Sequence, residues 1–547
     1  MLTVLLPLAL LAAAPALFGQ DALTPSASGY TVRGTVVNAI TSQPIARALV
    51  SINQDQAILT DSSGQFSLAN IGPGSYPVSV SKPGYQVRGF GVMRSAAARV
   101  RPGPPFRIQV GPGMPPLTFA IAPLSAISGH VTLSTADPPN GIRVQVFYRQ
   151  LQNGHPHWTV AGQARVRYDG SFRIGSLQPG SYRLATLPML DRPGLALNRR
   201  GPVWGYPALY YPGTTDIGAA GVLTLGAGQQ AEADITLTRQ QFFPVTALVQ
   251  GSPDTPANFE ILDSGGRQTG LYAQFDRRDG LAHAAVPNGT WTMEAHVYGP
   301  TMEWGSTSFQ VNGAPVSFSI AIQPVPHVPV IIHRDFQASD GPQSGAGPGM
   351  NLQVTSADEM TNSAGNMRQA DNPASGSSWE VSVSQPGRYW IQALPYPPLY
   401  VSSITSGGSD LGSTPLVFQP GSTPQPIEVT LRNDSGTING TIVSQNPGAL
   451  LSAPGQVPQI WIYAIPLFSS PSPLRNVMPN SDGQFSFYGV APGSYRLVAC
   501  DSQQEIDFHS PDALAAWAGK GQTVTVDPGG TASAELTVLH IASGAAQ

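Results

Sequence analysis

Cysteine occurs once in 547 residues, at Cys500, so no intrachain disulfide can form and stability has to come from packed cores. Lysine occurs only at Lys82 and Lys520, which leaves most of the chain without the amine that a lysine–asparagine isopeptide staple needs. Charge is equally thin. With 11% Asp, Glu, Lys and Arg and a net charge of −4, nothing in the composition attracts nucleic acid or an anionic membrane. Beyond an apolar run at residues 2–18, no stretch is long and apolar enough to cross a bilayer. Catalytic signatures are missing as well. None of the nine histidines has Glu at the third following position, and neither His-Glu-x-x-His nor Gly-x-Ser-x-Gly occurs. No enzyme activity, metal or cofactor is therefore expected.

What the chain does have is a repeat. Residues 64–76, 170–182 and 483–495 share the pattern G-x-F-x-[apolar]-x-x-[apolar]-x-P-G-S-Y. Two worn copies lie between them, one ending Pro287-Asn288-Gly289-Thr290-Trp291 and the other Pro386-Gly387-Arg388-Tyr389. The last glycines, Gly74, Gly180, Gly289, Gly387 and Gly493, are spaced by 106, 109, 98 and 106 residues. That period predicts five tandem modules, each long enough to bury its own core.

The motif has a direct physical reading. Ser or Asp before Gly64, Gly170 and Gly483 favours a turn, because Gly accepts positive φ. Phe66 and Leu68, Phe172 and Ile174, and Phe485 and Phe487 then alternate as one face of a half-buried strand. Pro73-Gly74, Pro179-Gly180, Pro386-Gly387 and Pro492-Gly493 suit the centre of a type II turn. A second alternating run starts at Tyr76, Tyr182 and Tyr495, so each copy reads as strand, tight connection, strand. The 59 Gly and 53 Pro argue against long helices. About seven short strands per hundred residues is the density of a β-sandwich.

Val32-Arg33-Gly34-Thr35-Val36-Val37, residues 43–50, Thr60-Asp61, Gly64-Gln65-Phe66 and Pro73-Gly74-Ser75-Tyr76 resemble the carboxypeptidase regulatory-like domain. The match is close over residues 30–85, good in the second and fifth units, and faint in the third and fourth. This resemblance implies a seven-stranded, transthyretin-like (prealbumin-like) sandwich, often classed with carbohydrate-binding-like folds, in a repeat protein of the secreted bacterial type. The expected fold is all-β: five tandem seven-stranded transthyretin-like or Ig-like β-sandwich modules after a signal peptide. Expected boundaries are 1–20 for the signal peptide, then 22–124, 125–240, 241–324, 325–433 and 434–541, with each sandwich folding separately. The apolar run and Ala14-Pro15-Ala16 supply the signal peptide. A secreted, periplasmic or cell-surface protein without a membrane span after signal removal follows as the expected location.

The densest aromatics are Trp204, Tyr206, Tyr210 and Tyr211, in a loop-rich insert of module two. Flat rings with polar edges suit a sugar ring, and Arg199, Arg200 and Asp216 could form the rim. The competing reading has these rings cap an edge or end of the sandwich. Tyr389, Trp390, Tyr396 and Tyr400, broken by prolines, read as cover for a sheet edge. His155-Pro156-His157 reads as a solvated loop rather than a metal site, and Cys500 as a small buried hydrophobe. Turn chemistry accounts for Asp61, Asp169 and Asp482. The expected function is non-catalytic: binding, adhesion or spacing at the bacterial cell envelope, by a monomer whose partner is a polysaccharide or an envelope protein. The alternatives are a carbohydrate-binding protein using the loop aromatics of module two, and an accessory subunit of a secreted hydrolase.

The lysine count generates one test. Intact mass spectrometry of the mature protein should return the sequence mass after leader removal; a deficit of one ammonia would reveal an internal cross-link.

Overall fold

The computed structural model describes residues 29–540 apart from 53–55, 87–91, 94–100, 103–105, 192–201, 252–256, 298–301, 337–347, 361–362, 371–376, 444–459 and positions 420, 423, 481 and 502. The expected signal peptide and the proposed rim residues Arg199 and Arg200 lie outside the described residues. Among the described residues the one helix is Pro511–Ala515, with Pro in its first turn and Ser510 Oγ accepting from Ala513 N.

Alternating sequence becomes two-layered structure in the same way throughout. In module one, Tyr30–Asn38 pairs antiparallel with Gln65–Ile71 and parallel with Leu117–Ile121. The opposing sheet orders Gln56–Leu59, Leu49–Ile52, Gly74–Ser81 and Phe106–Val110. Phe66, Leu68, Val78 and Val80 fill the space between. The pairing of the first strand recurs. Ser125–Leu133 takes Ser171–Leu177 antiparallel and the split pair Gln230–Glu232 and Ile235–Leu237 parallel. Gln240–Gln250 takes Leu281–Val286 and Val316–Ala321, and Val328–Asp335 takes Trp379–Val383 and Ile427–Arg432. Gly436–Ile442 takes Gln484–Val490 and Thr531–Leu536. The protein is thus all-β and built of β-sandwich modules. In module four, Ala364–Gln369 pairs with strands of both layers, so the layers join into one nine-stranded sheet.

A glycine in the first strand makes room for the motif phenylalanine. Gly34, Gly129 and Gly440 lie opposite Phe66, Phe172 and Phe485. A Cβ at Gly34 or Gly440 would lie 2.7 or 2.3 Å from the facing ring. The ring lies over bare backbone and shields it.

The Pro-Gly element is a corner between layers, which corrects the type II turn expected there. Gln65–Ile71 belongs to one sheet and Gly74–Ser81 to the other. Gly74, Gly180, Gly289, Gly387 and Gly493 have φ of 150°, 145°, 147°, 139° and 148°, against about 80° at the glycine of a type II turn. The chain has to change sheets rather than reverse beside itself, and this extended positive-φ state does so. The worn third and fourth copies share it. Two residues on, an aromatic group reaches back: Tyr182 Oη donates to Gln178 O at 2.6 Å, Tyr389 Oη to Gln385 O at 2.8 Å and Tyr495 Oη to Ala491 O at 2.8 Å. In module three Trp291 Nε1 donates to Pro287 O at 3.0 Å. This is the tyrosine corner known from other sandwiches.

The modules are not separate beads. Gln240–Gln250 begins three residues before its pairing with Leu281–Val286, and Val203–Tyr206 from the insert of module two pairs with those three. Otherwise their backbone groups would lack strand partners. One sheet therefore crosses the boundary near residue 240, which corrects the expectation of separately folded sandwiches. Further on, Trp304 of module three is 1% exposed and sits among Val328, Val330 and Leu352 of module four.

Corner glycines generate the second test. A Cβ at Gly180 or Gly493 would lie 2.5 Å from the ring of Tyr148 or Phe468, but at Gly74 it would lie 3.5 Å from Tyr76. In denaturant melts, Gly180→Ala and Gly493→Ala should each cost about 1–3 kcal/mol and Gly74→Ala distinctly less. Equal losses at all three would mean that backbone strain alone sets the cost.

Candidate functional site: the junctions of module two

The aromatic insert follows Gly180–Thr186 and lies against its own sheet: Tyr211 N donates to Leu184 O at 2.8 Å, and Tyr210 bridges to Ala185. Tyr210 is 1% exposed, in a cluster with Phe147, Trp158, Ala185 and Ala220. Its hydroxyl donates to Asp263 Oδ2 of module three at 2.9 Å. Arg267 Nε donates to the same oxygen at 3.1 Å, and its guanidinium lies 4.4 Å from the Tyr210 ring and 5.8 Å from Phe147. Asp263 Oδ1 accepts from Gly265 N and Arg267 N, so both oxygens are engaged. Arg267 is 4% exposed. The carboxylate side of this buried pair is thus fully met, whereas Arg267 Nη1 is buried with no hydrogen-bond partner among the described residues. Burial raises the Tyr210 phenol far above its ordinary range, so it stays a donor at every working pH.

The other predicted ligand residues part company. Tyr206 is buried and shares a 2.8 Å hydrogen bond with Thr135 Oγ1. Tyr211 is half-buried in the module's own core. Trp204 alone is open, at 38% exposure, with the Arg239 guanidinium 5.1 Å from its ring and Arg239 paired to Asp191. Asp216 caps Gly218 N at 2.8 Å. The structure does not bring these side chains into one exposed platform.

A second junction forms at a hairpin tip that the sequence reading passed over. Arg143–Gln152 and His155–Arg165 pair along their whole length around Asn153 (φ 55°) and Gly154 (φ 81°). Asn-Gly between alternating runs is the signal for such a turn. The tip enters between modules four and five. Leu151 N donates to Glu505 Oε2 at 3.0 Å, and Gln392 Nε2 donates to Asn153 O at 2.8 Å. A Cβ on Gly154 would lie 2.4 Å from the Phe508 ring. His155 lies flat between Trp390 (3.9 Å, 3°) and His509 (4.4 Å, 9°). Three modules thus contribute one ring each. This corrects the solvated loop expected at His155-Pro156-His157: the residues open a strand, and His157 is buried.

Module four also reaches module two. Trp158 N donates to Glu359 O at 2.7 Å and Trp158 Nε1 to Glu359 Oε2 at 3.2 Å, while Arg183 lies 4.5 Å over the Trp158 ring. The aromatics read as cover for a sheet edge have other roles. Tyr389 is the corner residue, Trp390 joins the stack, and Tyr400 Oη donates to Asp434 at 2.9 Å; Tyr396 alone is exposed. Cys500 is fully buried, and burial pushes its thiol up to about 11. The turn carboxylate Asp61 accepts from Gln65 N and then Ser63 Oγ, and Asp169 from Ser171 Oγ and then Ser171 N, and these bonds depress both acids. In module five the equivalent oxygen belongs to Asn480, which accepts from Asp482 N and Gln484 N. His130, Glu232 and Asp234 lie within 4.8 Å of one another on an exposed face.

Residues 31–104 match the family model of the carboxypeptidase regulatory-like domain, so module one carries that domain. No curated protein matches the sequence. Solved structures that align include the Bacillus anthracis TIE protein, at 9% identity over 94% of this chain and 68% of that one, with a TM-score of 0.15. The Streptococcal ancillary pilin aligns at 11% identity over 53% of this chain and 98% of its own, TM-score 0.17. The shaft pilin SpaA of Lactobacillus rhamnosus GG aligns at 11% identity over 37% and 98%, TM-score 0.14. Superpositions this loose carry no argument about function.

Two substitutions separate a structural role from a ligand role. Tyr210→Phe removes the phenol donor of a buried carboxylate and should cost about 1–3 kcal/mol in a denaturant melt. Trp204→Ala, which loses one exposed cation–π contact, should cost under about 1 kcal/mol.

Proposed function

We propose that the protein is a non-catalytic, exported scaffold of the bacterial cell envelope, built of five sandwiches with the boundaries given above. It serves binding, adhesion or spacing as a monomer, and its location is secreted, periplasmic or at the cell surface. One observation carries this reading: the polar and aromatic side chains with the most developed chemistry are used to join modules to one another. Tyr210, Asp263 and Arg267 join modules two and three, and His155, Trp390 and His509 join two, four and five. Such junctions support a stiff presenting surface. No helix among the described residues is long and apolar enough to cross a membrane. In this reading the partner is either a polysaccharide or an envelope protein. If that partner is a glycan, Trp204 is the insert residue open enough to stack on it.

Co-sedimentation of the purified mature chain with isolated envelopes tests the reading. Saturable binding is expected; its loss after protease treatment of the envelopes would identify a protein partner, and its persistence together with loss on Trp204→Ala would identify a glycan. Absence of binding, or turnover of envelope polymer by the purified chain, would overturn it.

A further inference from the structure

We propose that the hairpin tip of module two is an acid-released latch: protons taken up by the stacked imidazoles of His155 and His509 free module two from modules four and five. The geometry comes first. His155 has ring neighbours on both faces at 3.9 and 4.4 Å, so a proton on either histidine places a cation face to face with the other imidazole. Gln392 Nε2 approaches His509 Nε2 at 3.5 Å, a contact that needs an unprotonated acceptor. The seat holds little in reserve. Gln392 is 5% exposed, and among the described residues its Oε1 and the buried Asn153 Nδ2 find no hydrogen-bond partner. Each such group weakens docking relative to a hydrated open state.

The charged groups around the seat do not rescue the cation. Glu505 and Asp410 stay charged while accepting from Leu151 N and Gly412 N at 3.0 and 2.9 Å, but neither is among the causes that shift His155. Asp507 favours a charged His509, but burial outweighs it and the His509 pKa falls. Burial, and then His509, lowers His155 to about 4. Free histidine titrates near 6.5. The docked tip therefore binds fewer protons than the released one. Docking is complete above pH about 6.5 and is lost as pH falls towards 4, with each extra proton on release weakening it about tenfold per pH unit. Trp390 opposes this through cation–π attraction for a charged His155.

Amide hydrogen exchange on the full mature chain, corrected for intrinsic rates, reads the latch directly. Between pH 7.5 and 4.5, protection of residues 149–158 and 505–510 should fall at least tenfold, while residues 31–36 of module one stay constant. His155→Phe with His509→Phe keeps three flat rings and should remove most of that fall. Gly154→Val, driven into Phe508, should show the released pattern already at pH 7.5 and serves as reference if the double variant does not fold. Unchanged protection of the tip down to pH 4.5 in the parent protein would overturn the proposal, as would an equal fall in the double variant.

Discussion

An aromatic ring folded back over a Pro-Gly corner governs how these sandwiches are built. The corner carries the chain from one sheet to the other, and at that point the carbonyl four residues before the ring has left its ladder. Tyr182, Trp291, Tyr389 and Tyr495 supply the missing donor, and the corner glycine is faced by that same side chain at Gly289 and Gly387 but by Tyr148 at Gly180 and Phe468 at Gly493. Once the chain has changed layer there, the motif phenylalanine and the second alternating run face each other across the core. The first strand is left between its antiparallel and parallel neighbours. Trp291 shows that the requirement is for a flat donor of the right reach rather than for tyrosine itself.

Much of this architecture is legible in the sequence because it is local. Phe66 and Leu68, or Phe172 and Ile174, announce a strand face by alternation, and the spacing of the corner glycines announces repetition. Pro-Gly was harder to read. Its residues are those of a type II turn, and only the sheet partners of the flanking strands, tens of residues away, distinguish a reversal from a crossing. The same limit applies to the aromatic insert. Composition reports a dense group at Trp204 to Tyr211 but not what lies opposite, and the acceptor for Tyr210 is 53 residues further on. Asn153-Gly154 signals its own turn plainly. What receives the turn is set by Gln392 and Phe508, which no local pattern connects to it.

The two junctions differ in physical character. Asp263, Arg267 and Tyr210 form a charged, hydrogen-bonded contact whose directional bonds fix the register between modules two and three. A wrong docking would leave the Tyr210 hydroxyl buried without its acceptor, at a cost of about 1–3 kcal/mol, while the Asp263–Arg267 pair stays intact within module three. The tip of module two meets modules four and five mainly through flat faces and one tight glycine contact, which tolerate sliding more readily than ion pairs do. Trp304, set into the core of its neighbour, adds a third kind of joint in which one module completes the interior of the next.

The hairpin tip also imposes an order in time. Leu151 and its acceptor Glu505 are 354 residues apart. At about 5–20 residues per second of synthesis, module two waits roughly 20–70 s for the surface that receives it. During that interval Leu151, Gly154 and His155 lack the module-five groups that receive them. The long stretch of chain between the hairpin and its seat thus means that the tip can dock fully only after the fifth module has been made.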